Sequence, residues 1–246
     1  MLDPTHDRDY TIWIVAALLY ISDAAKLLSP RGLLLVEAGR GRLAAAFSAH
    51  PYTIAGRVLA FAPLLQPCRG IFVATWGSAW ADQGRLKPVL ESIERLRGSL
   101  LGARVLAVWA FVLLFVVGPA LTLSLGTAAA ILCTAAALYP TAMAAIVFLW
   151  LRRRALRLTT GRLVGLCVEI LVCPAFLPNL VRKITVLEPV HADGAQVLAA
   201  AATANVKSEF LTRLEGRTEE LIEGTDPADP EQAQLRAYLA TVRGAR

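Results

Sequence analysis

The chain has 246 residues, of which 56% are hydrophobic and 18% charged, with a formal net charge of +6. Together with a mean hydropathy of +0.55, this places it among membrane proteins and not among soluble one- or two-domain chains. The basic balance suits an anionic membrane surface. Nucleic acid is not an expected partner, because no aromatic-basic interleaving or recognition motif occurs.

Residues 1–9 (MLDPTHDRD) are net acidic, unlike the basic start of a secretory signal, and no small-residue cleavage site follows, so no cleavage is expected. Tyr10–Leu28 is apolar up to Asp23 and Lys26, which stand three apart, as neighbours on a helix would. Tyr10 and Trp13 suit an interface. The sequence predicts an N-terminal membrane helix within 1–29, with a helix lying in the interface as the alternative.

From Pro30 the pattern changes. The stretch 30–78 has short apolar runs punctuated by Gly39-Arg40-Gly41-Arg42, Pro63, Pro67 and Gly70. It reads as a small β-rich module of three to five strands, with a hairpin at the glycine-arginine loop and further short runs at Tyr52–Phe61 and Ile71–Trp76. Over 79–103, Leu86, Val89, Leu90, Ile93, Leu96 and Leu100 recur at three and four. That spacing predicts an amphipathic helix, with Glu91 and Arg95 as an i,i+4 pair.

The stretch that organises the chain is Val105–Leu151, 47 residues without Asp, Glu, Lys, Arg or His. As one helix it would run to roughly 70 Å, against a bilayer core of about 30 Å. It therefore reads as a transmembrane hairpin over 104–151, with spans at 104–125 and 128–151 and a turn at Gly126-Thr127. Gly118-Pro119 and Tyr139-Pro140 should bend the spans. Ala137, Thr141 and Ala145, four apart, make a close-packing face.

Arg152-Arg153-Arg154, Arg157 and Arg162 close the hairpin, eleven Lys and Arg residues lie from Lys26 to Arg104, and the turn has none. The positive-inside rule then places both hairpin ends in the cytoplasm. The region 152–190 is a basic border followed by Leu163–Val181, which has the length of a span. Glu169, Pro174, Pro178 and Asn179 interrupt it, and the favoured reading is a re-entrant or interfacial segment. Residues 191–246 read as a cytoplasmic helical tail. Asp193 caps a first helix whose apolar side is Val197, Leu198, Ala201, Phe210, Leu211 and Leu214. Asp229-Pro230-Glu231-Gln232 starts a second as a capping box.

The expected fold is thus a mainly α membrane protein: a transmembrane helical hairpin, an N-terminal span, a small β-rich cytoplasmic insertion and a helical C-terminal tail. The expected location is the cell membrane, multi-pass, in a bacterial inner membrane, with the C-terminus cytoplasmic.

The sequence holds no phosphate-cradling glycine motif, no H-E-x-x-H and no G-x-S-x-G. His6, His50 and His191 lie far apart, the four cysteines lack zinc-ligand spacing, and no cofactor is expected. Glu169 is the candidate functional residue that matters most. A carboxylate in an apolar run must be paired, neutralised or wetted, and Arg162, Arg182 or Lys183 could pair with it. Its functional reading is a proton or cation site; its plainer reading is a structural ion pair. Cys173-Pro174 with Pro178-Asn179 and Arg182-Lys183 forms a second candidate, a bend whose cations would suit phosphate headgroups, the plainer reading being a helix break with basic anchors.

Three functions are compatible with these residues. The first is a non-catalytic, membrane-anchored interaction or accessory subunit, its partners anionic lipid headgroups and a protein in the membrane or at its cytoplasmic face. The second is a transport or channel component with Glu169 as the coupling group. The third is a membrane-lipid enzyme, for which no nucleophile–base pair stands at recognisable spacing.

Overall fold

A computed structural model describes residues 10–39, 42–46, 53–54, 57–78, 83–188, 190–226 and 229–245. The acidic stretch 1–9, Arg40 and Gly41 at the expected hairpin tip, His6, His50, and Tyr52 with 55–56 in the expected strand run lie outside them.

The chain is mainly helical with a small sheet region. In order come α1 (Thr11–Ala24), β1 (Ala25–Leu28), β2 (Gly32–Glu37), β3 (Leu43–Ala46), β4 (Thr53–Ile54), β5 (Arg57–Phe61), β6 (Ile71–Thr75) and α2 (Gln83–Ser99). Then follow α3 (Leu101–Leu125), α4 (Thr127–Arg152), α5 (Thr160–Val172), a 3-10 turn (Pro174–Asn179), α6 (Leu180–Val186), α7 (Gly194–Ala201), α8 (Ala204–Gly224) and α9 (Pro230–Gly244). The strands form two three-stranded sheets, ordered β1-β5-β4 and β3-β2-β6. The chain divides into two compact units. One comprises Met1–Lys26, Phe61–Gly70 and Arg95–Glu188; the other comprises Leu27–Ala60, Ile71–Glu94 and Pro189–Arg246.

In the first unit, α3 and α4 are 25 and 26 residues long and apolar enough to cross a membrane. At 1.5 Å per residue each runs to about 38 Å. Gly126, at φ 81, breaks them apart, a conformation that favours glycine. Pro119 has no N–H to donate and would crowd the carbonyl four residues back, and the ladder widens into a π turn over Leu113–Val117 just before Gly118-Pro119. Pro140, by contrast, lies within an unbroken α4. Ala130, Thr134, Leu138, Thr141, Ala142, Ala145 and Leu149 form the buried stripe of α4, which contacts both α3 and α5.

Helix α1 ends sooner than the sequence predicts. Ala25 is extended and residues 25–28 are strand, so the helix has 14 residues and spans about 21 Å, short of a bilayer core. The break falls between Asp23 and Lys26, so the two are not helical neighbours. Trp13 of α1 lies over Gly118, and its Nε1 donates to Thr122 Oγ1 at 2.9 Å. A Cβ at Gly118 would fall inside the indole ring's contact distance. Gly118→Ala should therefore cost about 1–3 kcal/mol by overpacking, read as a lowered unfolding midpoint in detergent.

In the second unit, β2 pairs antiparallel with β3 (Leu34↔Ala46, Glu37↔Leu43) and with β6 (Gly32↔Thr75, Val36↔Ile71). Leu33, Leu34, Leu35 and Val36 are all buried, so β2, central in its sheet, reads as a continuous apolar run with no alternation. Helix α7 contacts β2 and β3, and Gly194 at its start lies so close to β6 that an added Cβ would stand 2.7 Å from Ala74 Cβ. Gly194→Ala is expected to destabilise this unit by about 1–3 kcal/mol, measurable as faster hydrogen exchange in α7.

The tail forms three helices where two were expected. Ala202 is extended, which separates α7 from α8, although Val197, Leu198, Phe210, Leu211 and Leu214 are buried as their spacing predicts. Asp229 caps α9 with Pro230 at the first position. Gln232 does not close a capping box. The Asp229 N–H already donates to Asp226 O at 2.9 Å, and Gln232 Nε2 donates instead to Ile222 O and Thr225 O at the end of α8.

Candidate functional site

The candidate site gathers at the bend that follows α5. Thr159 caps this helix, accepting from the Arg162 N–H. The Cys173 N–H closes its last turn on Glu169 O, and Pro174, with no N–H, stops it. The 3-10 turn then reverses the chain into α6. Consequently the two ends of the segment meet: Arg162 Nη1 donates to Leu187 O at 3.3 Å, and Arg157 pairs with Glu188 at 3.0 Å.

Consecutive residues on α6 point about 100° apart, so Arg182 and Lys183 enter different surroundings. Lys183 Nζ lies 3.1 Å from Asp23 Oδ1, pairs with Glu169 and sits over the Phe176 ring at 4.5 Å. Asp23 and Lys183 are 15% and 12% exposed, whereas Glu169 is 36% exposed at the rim. Asp23 Oδ2 is buried with no hydrogen-bond partner among the described residues.

Arg182, 1% exposed, is among the largest fully buried side chains. Its Nη1 donates to Asn179 Oδ1 at 2.5 Å, and its Nη2 donates to Pro63 O and Gln66 O. The guanidinium carbon sits 5.3 Å from the Tyr20 ring centroid. Asn179 Nδ2 in turn donates to Tyr20 O at 3.1 Å, and the Tyr20 hydroxyl donates to Leu64 O. The network ties the end of α1, the loop 61–70 and the bend together. Lys183 is matched by two carboxylates, whereas the buried Arg182 is held by carbonyl oxygens and the Tyr20 ring, with its Nε lacking a hydrogen-bond partner among the described residues.

Of the five sequence candidates, Glu169, Asn179, Arg182 and Lys183 come together. Cys173 caps α5 and lines a separate apolar groove of about 260 Å³ with Trp13, Thr134 and Tyr139. The headgroup reading of the bend meets an obstacle: the Arg182 guanidinium is buried and engaged with carbonyl oxygens, and Lys183 is held between two carboxylates. Neither presents a free charge to a phosphate. Sequence reasoning missed Tyr20, and it placed Asp23 in a self-neutralising pair with Lys26 and not with Lys183. Among the described residues no group of three His, Cys, Asp or Glu side chains could hold a metal ion.

In the other unit, Asp193 is 2% exposed and gathers five donors. Oδ1 accepts from the Ala195 and Gln196 N–H groups, capping α7, and from the Tyr238 hydroxyl at 3.1 Å. Oδ2 accepts from the Ser78 N–H and hydroxyl. Burial raises the Asp193 carboxyl above its ordinary value, against the pull of these hydrogen bonds.

No family model, curated protein or solved structure matches the chain.

Proposed function

We propose that this chain is a non-catalytic, membrane-anchored interaction or accessory subunit. One observation carries the membrane-anchored part of this reading. Within the most apolar windows of α3 and α4 only 33% and 28% of residues are buried by the protein itself. A core helix of a soluble protein would be mostly covered. Here Leu101, Leu123, Leu132 and Leu151 are 70–75% exposed, a surface suited to acyl chains. The arginine-dense borders support cytoplasmic ends for the hairpin in a multi-pass inner-membrane protein. The fold-back of 160–188 supports a re-entrant segment and a cytoplasmic C-terminus. On this reading the mixed sheet-and-helix unit is the face offered to a protein partner, and the ion network fixes the membrane unit's internal geometry. In-cell crosslinking followed by detergent purification should recover a stoichiometric partner; a chain recovered alone would overturn the assignment.

A second reading, a transport or channel component, draws support from the Asp23–Lys183–Glu169 array, because charged groups within apolar helices often lie on ion paths. It requires that Glu169→Gln abolish flux while the folded protein persists. Unchanged flux would remove it.

A further inference from the structure

The sheet-and-helix unit contains an open cleft of about 660 Å³, within the range of small-molecule sites. Arg31 lies on one side, Trp76 and Gly77 after β6 behind, and Leu221 of α8 with Glu231 of α9 on the other. Its charges are arranged in a particular way. Arg31 is held by the main chain, its carbonyl accepting from the Trp76 N–H, and its stem lies along Gly77, where a Cβ would stand 3.4 Å from Arg31 Cδ. Glu231 stands in the first turn of α9, where the helix dipole favours an anion. The two meet as an ion pair with side chains 28% and 50% exposed. Trp76 packs at a tilt on Tyr238, 6.0 Å between ring centroids, in the buried floor behind the cleft, and the half-buried Leu221 gives the cleft its apolar surface.

From this arrangement we infer that the cleft binds a small zwitterion of the α-amino-acid type, its carboxylate on Arg31, its ammonium on Glu231 and an apolar side chain against Leu221. The reason lies in charge matching. A ligand bearing only a carboxylate would take Arg31 and leave Glu231 unpaired; one bearing only an ammonium would do the reverse. A zwitterion inserted between them replaces one ion pair by two and strands neither group. The existing pair is half open to solvent, so little holds it closed. This inference goes beyond the membrane reading and does not depend on it.

The test uses the full chain in detergent and measures binding of L-leucine, leucinamide and N-acetyl-leucine by calorimetry. The wild-type protein should bind leucine at least about tenfold more tightly than either singly charged analogue, the ratio expected for one lost charge-assisted contact. Arg31→Gln should make leucine and leucinamide equivalent, and Glu231→Gln should make leucine and N-acetyl-leucine equivalent. Arg213→Gln, which removes the exposed Arg213–Glu209 pair in the same unit, should change none of these ratios. The wild-type arm alone can overturn the inference: no saturable leucine binding up to about 10 mM, or equal affinity for all three compounds. Retained leucine preference in both Arg31→Gln and Glu231→Gln would overturn it as well.

Discussion

Lys183→Met should destabilise the helical unit by about 3 kcal/mol, near the lower end of what breaking a buried ion pair costs. The substitution preserves volume but leaves the Asp23 and Glu169 carboxylates facing one another without the ammonium that lies between them. Asp23 bears most of the cost because it is largely buried, while Glu169 can turn to solvent. Hydrogen exchange across 160–188 measures the effect as a loss of protection in α5 and α6. The triple variant Asp23→Asn, Glu169→Gln, Lys183→Met should recover most of it, since removing all the charges removes the penalty of an unmatched one. Protection equal to that of the parent in Lys183→Met would show that the network contributes nothing to stability.

Asp193→Ala should cost the other unit a similar amount. About 1 kcal/mol comes from losing the α7 cap. A further ~1–3 kcal/mol comes from removing the acceptor shared by the Tyr238 hydroxyl and the Ser78 N–H and hydroxyl. The dependence on pH has a definite sign. The folded carboxyl titrates above its unfolded value, so its contribution to stability is complete below about pH 3.9 and is lost as pH rises through the raised folded value. The stability advantage of the parent over Asp193→Ala should therefore be largest in acid and shrink toward neutrality. Hydrogen exchange of α7 and β6 in the two proteins across that range tests both the magnitude and the trend.

The hairpin was legible in the sequence because 47 uncharged residues admit few other arrangements and Gly126 is the natural place to break them. The Asp229-Pro230 helix start was legible for the same kind of reason, a local pattern with a local cause. What could not be read depended on contacts distant in the chain. Helix α1 stops at Ala24 because residues 25–28 enter a sheet with β5, and no nearby residue announces it. Glu169 was visible as an anomaly with three cations in reach, but choosing Lys183 required the reversal over Pro174–Asn179. Arg182 and Lys183 looked like one basic pair, and their separation into different surroundings follows from helix geometry that exists only once α6 is placed. Gln232 was assigned to its own helix start and instead serves the end of the preceding helix, because Asp226 had already taken the Asp229 N–H.

The membrane hairpin is tested most directly by accessibility of single cysteines in intact cells. In a background with Cys68, Cys133, Cys167 and Cys173 replaced, Ser124→Cys probes the turn, Arg154→Cys the basic border and Ala245→Cys the end of the chain. The account predicts that a membrane-impermeant maleimide labels Ser124→Cys in intact cells, and the other two only after permeabilisation. Labelling of Arg154→Cys in intact cells, or a protein that stays in the supernatant when broken cells are spun without detergent, would contradict it.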